Sequence, residues 1–108
     1  MYNSFSLWDT YRALHPLMAL LHPSVSKDFA ASLLAMDDAW GSLPLWPALS
    51  SDGDMMTGDG ASIVLTDLAL QGLVDVKAAY DAVPPSPFTI SNMRPHLLET
   101  QKNLCTGF

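Results

Sequence analysis

Carboxylates outnumber the other side chains that could act as an acid or a base near neutral pH, with eleven Asp and Glu residues against three His and one Cys. Hydrolysis of a glycosidic bond needs two carboxylates on either side of a sugar ring, but the sequence alone does not show which pair would face each other. Asp9 is distinctive because Trp8 precedes it and Arg12 follows on the next turn. An indole beside a carboxylate could stack on a sugar and bind its hydroxyls.

A simpler interpretation of Asp9 is that it only caps a helix. Ser6 lies three residues before Asp9, a spacing that resembles the capping box at a helix N-terminus. Because such caps are common, the residue pattern by itself favours capping over sugar binding.

The other chemistry-bearing residues do not form a recognisable site. The acidic stretch at residues 52–60 lacks the EF-hand pattern, which needs Asp or Asn at its fifth position and Gly at its sixth. His15 and His22 are each followed by Pro and lie seven residues apart, whereas a metal-binding pair on a helix is usually spaced by four. Packing or capping is therefore the favoured role for both, and Cys105 alone can build no metal cluster. We predict no metal ligand and no assignable catalytic residue.

The composition argues against two classes of partner. The net charge is -6 and only five Lys and Arg residues are scattered along the chain, whereas binding to nucleic acid needs clustered positive charge. Anionic membrane surfaces are disfavoured for the same reason. The longest uncharged run, residues 13–26, is too short and too broken by Pro to span a bilayer. No signal-peptide pattern is visible, so the residues do not predict a location.

Helical periodicity dominates the first part of the chain. Residues 6–21 have apolar side chains at three- and four-residue spacing, which predicts a helix. Pro16 lacks a backbone donor, so we expect a kink there or a helix that restarts at Pro16. A second helix should begin at residues 24–26 and run to Trp40, where Gly41 ends it.

Two further helices are predicted after a loop. The first covers residues 61–71 with Gly72 as its C-cap, and its nearly all-round apolar surface suggests deep burial. The second covers residues 76–83 with Asp75 as its N-cap. The four helices would form two helical hairpins, so the predicted fold class is all-α.

Prolines and small polar residues mark the non-helical parts. Residues 43–47 contain two prolines and should be extended, and residues 50–60 should form an exposed or site-lining loop. The tail at residues 84–108 opens with three prolines and has no sustained periodicity. It should be irregular and poorly structured, although residues 95–104 could form a short helix.

Several blocks resemble one known family. Residues 5–13 (FSLWDTYRA), followed by His15-Pro16-Leu17, look very like a signature of glycoside hydrolase family 92. Residues 43–47 (LPLWP) agree with a second block in order and spacing, and Asp67 and residues 77–82 (KAAYDA) resemble the helices that follow. The resemblance covers residues 2–83. We therefore expect residues 1–83 to be one partial domain and residues 84–108 to be a Pro-rich tail.

The resemblance implies a fold and a function. Family 92 consists of calcium-dependent exo-acting α-mannosidases that invert the anomeric centre, are often secreted or periplasmic, and use a helical (α/α)6 barrel. The two helical hairpins would then be early hairpins of such a barrel. By match to the WDTYR motif, Asp9 would contact mannose in the -1 subsite with Trp8 beside it. Arg12 would orient or support these two sugar-contacting residues. The implied partners are mannose-containing glycans and the remainder of the parent catalytic domain.

The sequence departs from the family after its second block. The family usually has Asn-Glu-Thr and then Met-x-Gly-Tyr-His, whereas this chain has residues 51–53 (SDG) and residues 56–60 (MTGDG). The general acid, the base and the calcium ligands of the family lie downstream of this region, so none is assigned here. We therefore expect a mannosidase fragment that is inactive alone. The alternative is a non-catalytic helical interaction module derived from the same scaffold.

Overall fold

The computed structural model describes residues 1–48, 51–53, 56 and 59–83, and these residues are mostly helical. In this part of the chain the helices are α1 (Leu7–Thr10), α2 (Leu14–Leu21), α3 (Pro23–Trp40), α4 (Gly60–Leu70) and α5 (Val76–Ala82). Two short strands, β1 (Pro47–Ala48) and β2 (Ser51–Asp52), pair antiparallel. The prediction of a predominantly helical chain is confirmed, and the β1–β2 pair is an addition to it.

The first predicted helix is divided, but not where the sequence suggested. The break lies between α1 and α2, where Ala13 has φ -137° and ψ -52°, rather than at Pro16. Pro16 is instead the third residue of α2. In the first turn of a helix a missing N–H costs little, because those groups have no partner within the helix.

The ends of the later helices follow local signals in the sequence. Pro23 is the first residue of α3, and Gly41, at φ 79°, ends this helix in the left-handed conformation. The predicted end at Trp40 is confirmed. At the start of α5 the side chain of Asp75 accepts a hydrogen bond of 2.9 Å from the backbone N–H of Ala78, which confirms the predicted N-cap.

The core is centred on α4, which packs against α1, α2, α3 and α5. Its members are almost all aliphatic, and the largest fully buried side chains among them are Leu7, Leu33, Leu65, Leu68 and Val64. The consecutive pairs α2–α3 and α4–α5 are in contact, as expected for two hairpins. The predicted all-round burial of α4 is wrong, because Ile63 is 46% exposed and Leu70 is 84% exposed.

Two predictions concern a membrane span and the C-terminal tail. None of its helices is long and apolar enough to cross a membrane. The predicted irregular tail at residues 84–108, including the short helix expected at residues 95–104, lies outside the described residues.

Candidate functional site

Helix α1 is a single turn with one buried side and one open side. Leu7 is 1% exposed and belongs to the core, whereas Trp8 is 39% exposed. Asp9 and Arg12 are also exposed. The turn therefore holds Leu7 inside and presents all three predicted site residues, Trp8, Asp9 and Arg12, on the surface.

The position of α1 is fixed by close contact with the start of α4. A Cβ atom added at Gly60 would lie 2.9 Å from the Cβ of Leu7 and 3.1 Å from its carbonyl oxygen. Such distances are shorter than carbon atoms tolerate, so the two backbones approach this closely only because residue 60 has no side chain. This contact sets where the turn carrying Trp8 and Asp9 lies.

The Asp9 carboxylate is not part of a helix cap. Ser6 is the N-cap residue of α1, but its side chain makes no capping hydrogen bond. The carbonyl oxygen of Ser6 accepts from the backbone N–H of Asp9 at 2.9 Å and from the hydroxyl of Thr10 at 3.0 Å. Among the described residues the carboxylate of Asp9 has no hydrogen-bond or ion-pair partner. The predicted capping box is therefore wrong, and this carboxylate is available to a ligand.

Arg12 contacts aromatic rings rather than the neighbouring carboxylate. Its guanidinium carbon lies 5.7 Å from the ring centroid of Trp8 and 5.0 Å from that of Tyr11. A cation at this distance from an indole face is attracted by the electrons of the ring. Arg12 therefore contacts the Trp8 indole, and within the described part of the chain it makes no ion pair with Asp9.

An aromatic cluster packs beside this turn and includes a buried histidine. The rings of Phe5 and Phe29 lie 5.6 Å apart in an edge-to-face arrangement, and His15 lies 6.1 Å from Phe5 and 5.6 Å from Phe29. His15 is 5% exposed, and burial lowers its pKa below the ordinary value of 6.5. The prediction that His15 packs rather than binds metal agrees with this environment. His22 is exposed and joins α2 to α3.

Nearly the whole chain matches one protein family. The model of the glycosyl hydrolase family 92 catalytic domain matches residues 1–102. The chain belongs to glycosyl hydrolase family 92. The match extends beyond residue 83, where the resemblance described above ends. A comparison with curated proteins gives no match.

The second family 92 block is held by a carboxylate that the sequence did not single out. The two oxygens of Asp52 accept hydrogen bonds of 2.8 Å from the backbone N–H groups of Leu45 and Trp46. The backbone N–H of Gly53 donates to the carbonyl oxygen of Trp46 at 2.8 Å. The sequence placed Asp52 only in a loop expected at residues 50–60 and indicated neither of these hydrogen bonds.

An open cavity of about 480 Å³ lies along the outer side of α4. Its lining combines carboxylates and hydroxyls with aliphatic side chains, namely Asp59, Ser62, Ile63, Thr66, Asp67, Leu70 and Val83. None of the three predicted site residues lines it. The exposed turn of α1 and this cavity are therefore separate features.

The described residues do not supply a calcium site. Calcium takes six to eight oxygen ligands in proteins, several of them carboxylates. In the described ranges no three His, Cys, Asp or Glu side chains lie close enough together to hold a metal ion. The residues present therefore do not fit the calcium that the family resemblance implies, and no chemical step is derived through it.

Proposed function

We propose that residues 6–12 form part of the mannose-binding pocket of an α-mannosidase catalytic domain built as an (α/α)6 barrel. Asp9 would accept hydrogen bonds from sugar hydroxyls, Trp8 would pack on a face of the ring, and Arg12 would hold the indole in place. The observation that carries this proposal is the Asp9 carboxylate, which is exposed beside Trp8 and has no partner among the described residues.

The chemistry of a hexose suits this pair of side chains. A sugar ring has an apolar face of C–H groups and a rim of hydroxyls. Aromatic rings pack against such faces, and a carboxylate accepts two hydroxyl hydrogen bonds that are stronger than neutral ones. The contact between Leu7 and Gly60 limits movement of the turn, so little order has to be gained when a sugar binds.

Binding by this turn does not amount to catalysis. An inverting glycosidase needs a general acid on the leaving group and a base that activates water on the opposite face of the ring. The turn carries one carboxylate, Asp9, and one group cannot do both. We therefore propose that the remainder of the parent catalytic domain supplies the acid, the base and the calcium ligands, and that this chain alone is inactive.

The proposal is tested by sugar titration of the 108-residue chain. Methyl α-mannoside should shift the indole NMR resonance of Trp8 in a saturable way. Replacing Asp9 by Asn should weaken binding by about tenfold or more, since a hydrogen bond to a charged group stabilises by about 1.5–3 kcal/mol. The matched control is Asp38→Asn, which changes an exposed carboxylate on α3 and should leave binding unchanged.

Two outcomes would count against the sugar site. One is the absence of any shift with methyl α-mannoside, and the other is equal binding by the Asp9→Asn variant and the unchanged chain. Titration with methyl α-glucoside gives the selectivity of the turn. Equal affinity for both sugars would leave carbohydrate binding intact and remove the assignment to mannose.

A second candidate function is favoured by the surface of α2. Its leucines are open to solvent: Leu14 is 49% exposed, Leu17 50%, Leu20 77% and Leu21 59%. Exposed apolar patches of this kind often mark contact with another protein surface. A helical interaction module would form a soluble oligomer of one size, whereas aggregation of the isolated chain would favour a segment of a larger domain. Sedimentation of the purified chain distinguishes the two.

A further inference from the structure

His15 lies between the N-terminal segment, residues 1–5, and helix α3. Its ring meets Phe5 of the N-terminal segment at 6.1 Å and Phe29 of α3 at 5.6 Å. The Nε2 atom of His15 is buried and has no hydrogen-bond partner among the described residues. A polar atom left without a partner inside a protein is unfavourable, and a charged one is far more so.

The N-terminal segment contacts α3 through a hydrogen bond and through aromatic rings. The backbone N–H of Tyr2 donates to the hydroxyl of Ser32 at 2.8 Å. The ring of Tyr2 meets Phe29 edge to face at 4.7 Å, and Phe5 does so at 5.6 Å. Phe29 is therefore the common contact of Tyr2, Phe5 and His15.

In the part of the chain that the structure describes, no charged group offsets the burial of His15. The helices that pack against α2 are α3 and α4. Their ionisable side chains in the described ranges are Lys27, Asp28, Asp37, Asp38 and Asp67. The pKa of His15 is lowered by burial, with no contribution from any of these charges. An imidazolium at this position would have no counter-ion among these described residues.

We propose that His15 is an acid-sensitive latch, whose protonation releases the N-terminal segment from α3. Lifting residues 1–5 away would let water reach the imidazolium and would separate Phe5 from Phe29. Because residue 6 leads directly into α1, release of the N-terminal segment also loosens the turn that carries Trp8 and Asp9.

The direction of the pH effect follows from proton linkage. The pKa of His15 is lower in the packed state than the ordinary value of 6.5 that applies once the ring is exposed. The released state therefore binds the proton more tightly. The packed form is therefore most favoured above pH 6.5 and becomes less favoured as the pH falls below that value. The ratio of released to packed forms rises about tenfold per pH unit until His15 is also protonated in the packed form.

The test follows the latch by NMR in the intact 108-residue chain. Cross-peaks between the ring protons of Tyr2 and Phe29 report the packed segment, and the His15 imidazole resonances report protonation. From about pH 7.5 to about pH 4.5, across the usual histidine range, the cross-peaks should disappear together with the titration of His15. His15→Phe should keep them throughout, whereas the matched His22→Phe change at an exposed histidine should behave like the unchanged chain.

Two results would overturn the latch. One is persistence of the Tyr2–Phe29 cross-peaks while His15 becomes protonated. The other is loss of the cross-peaks at the same pH in His15→Phe, which would assign the acid response to carboxylates. If His15→Phe does not fold, the unchanged chain still decides the question, because the two midpoints must coincide.

Discussion

At the scale of single residues, the sequence around Asp9 was compatible with two different roles for its side chain. The spacing of Ser6 and Asp9 suits both a capped helix and a ligand-binding turn. In a capping box the acidic side chain must reach back to the N-cap N–H, which Glu or Gln does, and Asp is one methylene shorter. In the structure the carboxylate makes no such contact. The sequence therefore predicted Trp8, Asp9 and Arg12 as candidate site residues, but it could not show that the Asp9 carboxylate has no partner among the described residues.

Arg12 offers a prediction at the same scale. Arg12→Lys keeps the positive charge but removes the planar guanidinium near the rings of Trp8 and Tyr11. A cation–π contact at an exposed site stabilises by about 0.5–1 kcal/mol, so methyl α-mannoside should bind about two- to fivefold more weakly. The same NMR titration measures this change. A loss as large as that of Asp9→Asn would mean that Arg12 contacts the sugar itself.

At the scale of elements, the contact between α1 and α4 determines where the candidate site lies. The family usually carries a His where this chain has Gly60, and the close approach of Leu7 leaves no room for a side chain there. The sequence showed that Gly60 departs from the family pattern. It could not show that Gly60 allows close contact with Leu7, because the two residues are more than fifty positions apart and meet only in the folded chain.

This contact predicts the effects of substitutions at residues 7 and 60. Gly60→Ala should lower the free energy of unfolding by about 1–3 kcal/mol, as overpacking does. Leu7→Ala should lower it by about 2–5 kcal/mol through the cavity it leaves. A Cβ atom at residue 60 would meet the Cβ, the carbonyl carbon and the carbonyl oxygen of Leu7, and alanine keeps all three atoms. The clash therefore persists in the double variant, and its loss in urea denaturation should exceed that of either single variant. A double variant as stable as Leu7→Ala alone would show that residue 60 has room for a side chain.

At the scale of the whole molecule, the apolar periodicity of the first predicted helix did not correctly predict which of its side chains are buried. The apolar stripe predicted for the first helix included Leu14 and Leu21, yet both are exposed, while His15 and Ala19 of the same helix are buried. The break before Leu14 separates α2 from α1, so the two helices do not share one continuous stripe. The exposed leucines of α2 are the apolar surface on which the proposed interaction module depends.

We proposed that this chain binds sugar and that the remainder of the parent domain supplies the acid and the base, so the isolated chain should be inactive. The 108 residues alone should release no mannose from α-linked mannobiose, because the acid and the base that an inverting mechanism requires are assigned to the remainder of the parent domain. A reducing-sugar assay measures this directly, with the Asp9→Asn chain as the baseline. Turnover that exceeds this baseline would contradict the assignment and place the missing groups within the chain.

The sequence by itself determined the features that depend on near neighbours in the chain. Gly41 and Asp75 mark helix ends because each acts on the backbone within a few residues, whereas α3 begins at Pro23, before the predicted start at residues 24–26. The signature at residues 5–13 likewise indicated family 92, which the match over residues 1–102 confirms.

Only the tertiary structure decided which side chains are buried and which are left without partners. Three contacts illustrate this. Asp52 accepts hydrogen bonds from the backbone of Leu45 and Trp46. His15 packs against Phe29, and Leu7 lies against Gly60. Such contacts depend on how helices pack in space, and packing is set by the summed burial of many side chains rather than by any local pattern.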